Sequence, residues 1–431
     1  MKRYTKKSNL LKNLFIILFI ILIFGCSLFL IYKNKIYDKE LSDKNDMEQA
    51  RKIIKYFNTY VKTNKDSDLY VLIDNNYQKI GEIKKDEELI LSPGAISSNT
   101  QYFKIKSLEN TYYISYKNVS KIEKLSASYD RYKEYIPFNI NIVTDNNTKF
   151  YSEDGELVYT IYKSFELPII IMDNDRYGVE FNNRLLYINK ENVLSEKDYI
   201  NSDDINAKEI AVLNYHFFYD ENDIKSRSEC NQSICLSKSN FSKHLEYIKN
   251  NNIFTPTALE LEMYIDEKIQ LPKSVVITID DGWSTDIGIS LLNKYKMNAI
   301  VFLITSWFDK IDFLDDSKYI EYHSHGDDLH TVGICPGGQG GAIKCIEKNK
   351  LLNDLKKSSV KLGNSKYFCY PFYEYNNYSI EVLKEAGYTM AFGGQMEGGI
   401  SRVSPGVDKF RLPRYVIYRN TSVDNIKKYI G

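Results

Sequence analysis

Four patterns of apolar and polar residues follow one another along the chain. Residues 14–32, LFIILFIILIFGCSLFLIY, carry no charge over nineteen positions, enough for a helix rising about 1.5 Å per residue to cross about 30 Å of hydrocarbon. From 33 to 66 the chain is polar, with Met47, Ala50, Ile53, Ile54, Phe57, Tyr60 and Val61 at helical spacing and Ser42 or Asp43 placed as a cap, which predicts a stalk helix. Its apolar stripe suits packing on the next domain and pairing with another chain alike. Between about 67 and 198 come short runs of Tyr, Ile and Val broken by Asp-Asn, Asn-Asn and Asp-Gly pairs, the signature of short strands and tight turns. From Glu209 strand-like and helix-like segments alternate: Ile210–Tyr215, a helix around Phe241–Asn250, another around Leu259–Tyr264, and the strand Ser274–Ile279. Next come a helix near Ile287–Tyr295, a strand Ala299–Ile304, a helix near Lys348–Leu362, a strand Tyr367–Tyr370 and a helix near Ser379–Ala386. This predicts a parallel α/β domain over 207–431. Its natural closed form is a barrel, with catalytic groups at the C-terminal ends of the strands.

The β-rich region repeats itself. Tyr112-Tyr113-Ile114-Ser115-Tyr116-Lys117-Asn118-Val119 answers Leu186-Tyr187-Ile188-Asn189-Lys190-Glu191-Asn192-Val193, and Ile83 and Leu89 find counterparts in Ile161 and Leu167, with the drift in offset that loop insertions produce. Two tandem small barrels, 67–125 and 136–198, fit this best. Both copies resemble bacterial SH3-like domains, in which an aromatic–Ile–x–x–x–x–Val ending closes the barrel. By that resemblance they are modules that sit beside cell-wall enzymes; a role as spacers with core tyrosines carries equal weight.

Charge orients the molecule. Lys2, Arg3, Lys6, Lys7 and Lys12 precede the apolar run with no acid among them, so the positive-inside bias places a tail, 1–13, in the cytoplasm, an anchor at 14–32, and everything beyond outside. A cleaved signal peptide fits less well, because the run exceeds the usual length of about 7–15 residues and lacks a small-x-small exit. A lipoprotein signal at Ile23-Phe24-Gly25-Cys26 has a bulky Phe24 and an apolar run continuing past Cys26. Basic and acidic residues number 57 each; removing the five N-terminal cations leaves 52 against 57, a body without the basic field that wraps nucleic acid. No nucleic-acid partner is expected, and no protein partner is predicted. Of six cysteines, Cys230 with Cys235 and Cys335 with Cys345 are spaced for short-loop disulfides in an extracellular setting. Neither spacing suits a zinc knuckle, and Cys369 is left over, expected in the core.

The candidate chemistry begins at Thr278-Ile279-Asp280-Asp281-Gly282. Both carboxylates emerge where an apolar strand ends, and Gly282 permits a sharp exit, so one can bind a cation while its neighbour stays ionised as a base. Three of the five histidines, His323, His325 and His330, fall within eight residues. His325 and His330 share a face of neither helix nor strand, so a loop must curl to bring them together, and a metal ion supplies a reason to curl. His323 with His325 is the alternative pair, on one face of a strand. One Asp with two His leaves open positions for water and substrate, an arrangement that points to hydrolysis of an amide or ester.

These motifs, with Ser324-His325-Gly326 and Cys369-Tyr370-Pro371-Phe372 in the same order, make the chain similar to the polysaccharide deacetylase family, also called the NodB-homology fold or carbohydrate esterase family four. The implied fold class is α/β: a distorted (β/α) barrel, preceded by the two all-β SH3-like barrels and the transmembrane helix. The resemblance makes Asp280 the general base, Asp281, His325 and His330 the ligands of a divalent metal, usually zinc, and the Phe372 backbone N–H after Pro371 an oxyanion donor. Trp283, Tyr373 and Arg414 are placed along the sugar groove. No histidine follows His330, where many relatives keep the acid that protonates the leaving amine. Val212-Leu213-Asn214-Tyr215-His216 resembles the branch acting on poly-N-acetylglucosamine, in which an N-terminal Tyr-His segment takes that place, so His216 is the candidate acid; a histidine at an aromatic edge is its structural alternative. Two departures stand out: Gly326 replaces the usual Thr or Ser, and Cys369 stands where many relatives have the Arg that orients the base. The implied partner is a cell-surface glycan substrate, peptidoglycan first and poly-N-acetylglucosamine second. An O-acetyl esterase and a non-catalytic wall-binding protein are the further alternatives.

Overall fold

The structure, a computed structural model, describes residues 59–96, 101–105, 111–126, 140–182, 184–198, 204–308, 319–394 and 402–431, with helical positions between 25 and 49. The expected tail 1–13, most of the expected span 14–32 and the stalk positions Met47, Ala50, Ile53, Ile54 and Phe57 lie outside the described residues. Among the described residues no helix is long and apolar enough to cross a membrane. The stalk helix ends earlier than its spacing predicts: Tyr60 and Val61 belong to a strand, Tyr60–Thr63, in which Val61 and Thr63 are buried and Tyr60 and Lys62 less so. Four residues suffice to show a period of two only once the partner strands are in place.

From Tyr60 to Asp198 the strands form two units of seven with one pairing scheme. In each, the first strand (Tyr60–Thr63; Ile140–Thr144) pairs with the fourth and the seventh. The second pairs with the third and sixth, and the fifth with the fourth and sixth. A 3-10 turn, Tyr116–Asn118 or Lys190–Asn192, precedes the last strand in both. The repeat seen in the sequence is therefore a repeat of topology: Ile83 and Ile161 end equivalent strands, and Val119 and Val193 begin equivalent strands. Local chemistry fits the turns; Asp74 and Asn75, both at positive φ (48° and 62°), connect Ser67–Ile73 to Asn76–Ile83, as a two-residue hairpin requires.

In the C-terminal part, strands Ile210–Tyr215, Val275–Ile279, Ala299–Leu303, Ile320–Ser324, Tyr367–Cys369 and Met390–Phe392 lie side by side, all parallel. Residues 412–416 join the ends: Leu412 bridges Phe392, and Tyr415–Val416 pairs with Ile210–Tyr215. The sheet thus closes into a barrel of seven segments. Every residue of Val275–Ile279 is buried, because alternate positions serve two cores. Val275, Ile277 and Ile279 pack with Leu245, Leu292 and Ile426 of the surrounding helices. Val276 joins Val212, Ile300, Phe302 and Phe392 in the other. The helices predicted from spacing are present at Lys238–Asn250, Ala258–Ile265, Asp286–Tyr295, Lys348–Lys361 and Asn377–Glu385. Both short-loop cysteine pairs are disulfides, and Cys369 is free and buried.

Candidate active site

The chain leaves strand Val275–Ile279 through two left-handed residues, Asp281 (φ 70°) and Gly282 (φ 86°). At this positive φ any side chain would be strained, and a β-carbon on Gly282 would also come 2.2 Å from a Leu303 methyl, so glycine suits the turn, which swings the two carboxylates apart. Asp281 Oδ1 lies 3.4 Å from His325 Nε2 and 3.5 Å from His330 Nε2. All three ligand atoms fall within 4.8 Å of one another. His325 follows the end of Ile320–Ser324, and its Nδ1–H donates to the Cys369 carbonyl at 2.8 Å, which leaves Nε2 to face Asp281. Such a backing hydrogen bond is the usual companion of a metal-binding imidazole. The loop carrying His330 is held by Asp327, which accepts from Thr305 Oγ1 and pairs with Lys357 and Lys361. Beyond it, the Cys335–Cys345 loop is gathered by the Glu374 carboxylate, which accepts from the Gln339 and Gly341 amides. His323 points elsewhere, to Ser365 Oγ at 2.9 Å, so the alternative His323–His325 pair does not form.

Asp280 is almost wholly buried, and Arg414 grips both of its oxygens, Nη1 to Oδ1 at 2.8 Å and Nη2 to Oδ2 at 2.9 Å. Burial alone would raise the carboxyl pKa, but the Arg414 charge outweighs it and holds Asp280 well below the usual carboxylate range. This corrects the expected place of Arg414: it is fully buried rather than lining a groove. It sits on the segment that closes the barrel and reaches inward to Gly393 O, Thr278 Oγ1 and, at 3.0 Å, Cys369 Sγ. Arg414 thus reaches Asp280 and Cys369 from the residue just before Tyr415–Val416, which pairs with the first barrel strand.

His216, after strand Ile210–Tyr215, lies with Nε2 4.0 Å from Asp280 Oδ2. Burial pushes its pKa down, with Asp280 offsetting part of the shift. Burial, followed by the neighbouring His325 charge, lowers His330 to about 4. The Tyr373 hydroxyl faces inward, donating to Asn214 Oδ1 at 2.9 Å. Phe372 is left-handed (φ 58°) with its ring 4.3 Å from that of His330, and the preceding Pro371 is buried. The Phe372 N–H has no backbone acceptor among the described residues. Trp283 is 46% exposed and stands edge-on to Phe217. Three contributors escaped the sequence reading. Asn214 was legible as the lone polar side chain of an apolar strand, Trp307, 49% exposed and 5.5 Å from the His330 ring, only as one of two tryptophans, and the Cys369 carbonyl not at all.

Residues 267–391 match the model of the family described as polysaccharide deacetylase. The barrel is a polysaccharide deacetylase domain, and the protein is an enzyme of that class. Among solved structures, the chain is similar to a de-N-acetylase from Aggregatibacter actinomycetemcomitans, at 21% identity over 51% of this chain and 99% of that one, TM-score 0.44. It is similar to IcaB from Ammonifex degensii, at 20% identity over 52% and 98%, TM-score 0.43. It also resembles a polysaccharide deacetylase from Bacillus cereus, at 15% identity over 73% and 94%, TM-score 0.40. No curated protein matches the chain.

Proposed function

We propose that the enzyme is a metal-dependent N-deacetylase that hydrolyses the acetyl amides of N-acetylglucosamine units in a cell-surface glycan, with peptidoglycan as substrate. The observation that carries this reading is the division between adjacent carboxylates: Asp281 faces two imidazoles, while Asp280 is held ionised by Arg414 beside a third. One carboxylate oxygen and two imidazole nitrogens are a donor set that suits zinc, and Asp281, His325 and His330 would hold it. When bound, the ion would supply Lewis acidity toward water and the acetyl carbonyl. Asp280, ionised and buried, takes the proton of the attacking water. The Phe372 N–H stabilises the oxyanion. His216 in its protonated form gives a proton to the amine as the carbon–nitrogen bond breaks.

The half-exposed indoles of Trp283 and Trp307 beside this centre support a sugar substrate, whose apolar ring faces stack on aromatics. For the anchor, support comes from the apolar run itself and from the exposure of Phe29, Leu30, Ile31 and Tyr32 at its end; on that reading the protein is a single-pass membrane protein with its catalytic domain outside the cell. The repeated pairing scheme with its 3-10 turn supports reading the β units as SH3-like modules. Poly-N-acetylglucosamine is the second substrate reading, favoured by the position of His216 at the end of the first barrel strand.

The test is acetate release from purified peptidoglycan, from poly-N-acetylglucosamine and from an O-acetylated glycan. Release from the N-acetylated polymers, abolished by chelation and restored by zinc, is expected. Full activity of Asp280→Asn, release from the O-acetylated glycan alone, or binding to these polymers without any release would overturn the proposal.

A further inference from the structure

Tyr373 lies one residue beyond the Pro371-Phe372 corner, in the second of two successive left-handed conformations (φ 58° and 63°). Gly394 makes room for its ring, since a β-carbon there would come 2.8 Å from the tyrosine side chain. The unusual backbone turns the hydroxyl inward to two groups, Asn214 Oδ1 at 2.9 Å and His216 Nε2 at 3.2 Å. Asn214 is fully buried and directs its amide nitrogen to the Tyr215 carbonyl at 3.3 Å, which leaves its oxygen to accept from the tyrosine. A hydroxyl has one hydrogen. With that hydrogen committed to Asn214, the tyrosine oxygen accepts from His216, and the imidazole must carry a hydrogen on Nε2, the nitrogen that also faces Asp280 at 4.0 Å. Nδ1 of His216 is buried with no partner among the described residues, so no other side-chain hydrogen bond fixes the orientation of the ring.

We propose that Tyr373, braced by Asn214, is a positioning residue for the amine-protonating step: it holds the His216 imidazole with Nε2–H directed into the site beside Asp280. The inference rests on the reading of His216 as the acid. In that step the imidazolium gives its Nε2 proton to the amine nitrogen as the carbon–nitrogen bond breaks and is left neutral, while Tyr373 keeps its own proton.

The test compares an amide with an ester that needs no acid. An amine leaves only when protonated, whereas para-nitrophenoxide leaves unaided, so loss of acid function slows the first and spares the second. In the zinc-loaded full chain, Tyr373→Phe is expected to lower kcat on an N-acetylglucosamine oligomer about tenfold, the scale of one hydrogen bond, with KM, zinc content and turnover of para-nitrophenyl acetate unchanged. His216→Ala should show the same split at about a hundredfold or more. Equal losses of Tyr373→Phe on both substrates, or no loss on the oligomer, would overturn the role of Tyr373. If His216→Ala shows no split, the acid assignment fails, and with it this inference. A split in His216→Ala without one in Tyr373→Phe sinks the tyrosine proposal alone.

Discussion

Asp280 and Asp281 are adjacent in the chain, yet a left-handed turn gives them unlike neighbours, and substitutions should separate their roles. Asp281→Asn removes one of three converging donors and is expected to lower zinc content along with activity, as His330→Ala should. Asp280→Asn is expected to keep zinc and lose acetate release by about a hundredfold or more; equal zinc loss in both variants, read by elemental analysis, would contradict the division. The Asp280–Arg414 pair has a structural side as well. Both side chains are essentially inaccessible to water, and breaking a buried pair by removing one partner costs about 3–5 kcal/mol because the other charge stays buried. Arg414→Ala should therefore melt well below the wild type, and an unchanged melting temperature would mean that Asp280 finds another counter-charge.

Elements long enough to repeat their period were legible in the sequence, and those defined by distant partners were not. The strand at Val275–Ile279 and the helices at Lys238–Asn250 and Asp286–Tyr295 declare themselves by runs and spacing, as does the exit into Asp280-Asp281-Gly282. Tyr415–Val416 has two residues and becomes a strand only by closing the barrel, so the inward direction of Arg414 could not be read. Tyr60–Thr63 was drawn into the stalk for the same reason. His244, on Lys238–Asn250, shows what the helical pattern conceals: its stripe position is simply apolar, but the side chain is buried, with Nδ1 3.2 Å from the Tyr215 hydroxyl and Nε2 3.1 Å from the Thr421 carbonyl. The carbonyl can only accept, so Nε2 carries the hydrogen and Nδ1 accepts from the tyrosine. Burial lowers the pKa of His244 from 6.5 to about 4. The unfolded chain then binds the extra proton first as pH falls, so the stability His244 contributes is complete above about 6.5 and is lost progressively toward about 4, by about 3 kcal/mol at most. In zinc-loaded protein, melting temperatures across this window should fall less steeply for His244→Gln than for the wild type, and parallel curves would show that His244 does not drive the loss.

At the scale of the molecule, the two seven-stranded units have the pairing of independent modules but not the packing. Residues 81–83 of the first unit form a ladder with 159–161 of the second. Asn182, on the second, receives the Ile90 amide of the first on its side-chain oxygen at 3.0 Å, out of contact with water, and Arg184 pairs with Glu87 across the same boundary. The apolar cores merge as well, since Leu89, Leu91 and Phe103 belong to one cluster with Phe150, Tyr159 and Phe181. A unit cut free at this boundary would expose ladder edges and core faces together, so neither half is expected to fold alone, and the pair should unfold in one cooperative transition. Asn182→Ala leaves the Ile90 N–H buried without an acceptor, at a cost of about 1–3 kcal/mol, and also forfeits a residue tolerant of the left-handed backbone found there (φ 48°). Calorimetry of the variant should show the transition of the β units moved down as a whole, while a transition of the barrel, the one expected to shift with added zinc, stays in place. Two separately moving β transitions would mean that the shared core does not couple the units. A single transition would show that the ladder between residues 81–83 and 159–161 and the shared apolar cluster bind the two β units into one cooperative body.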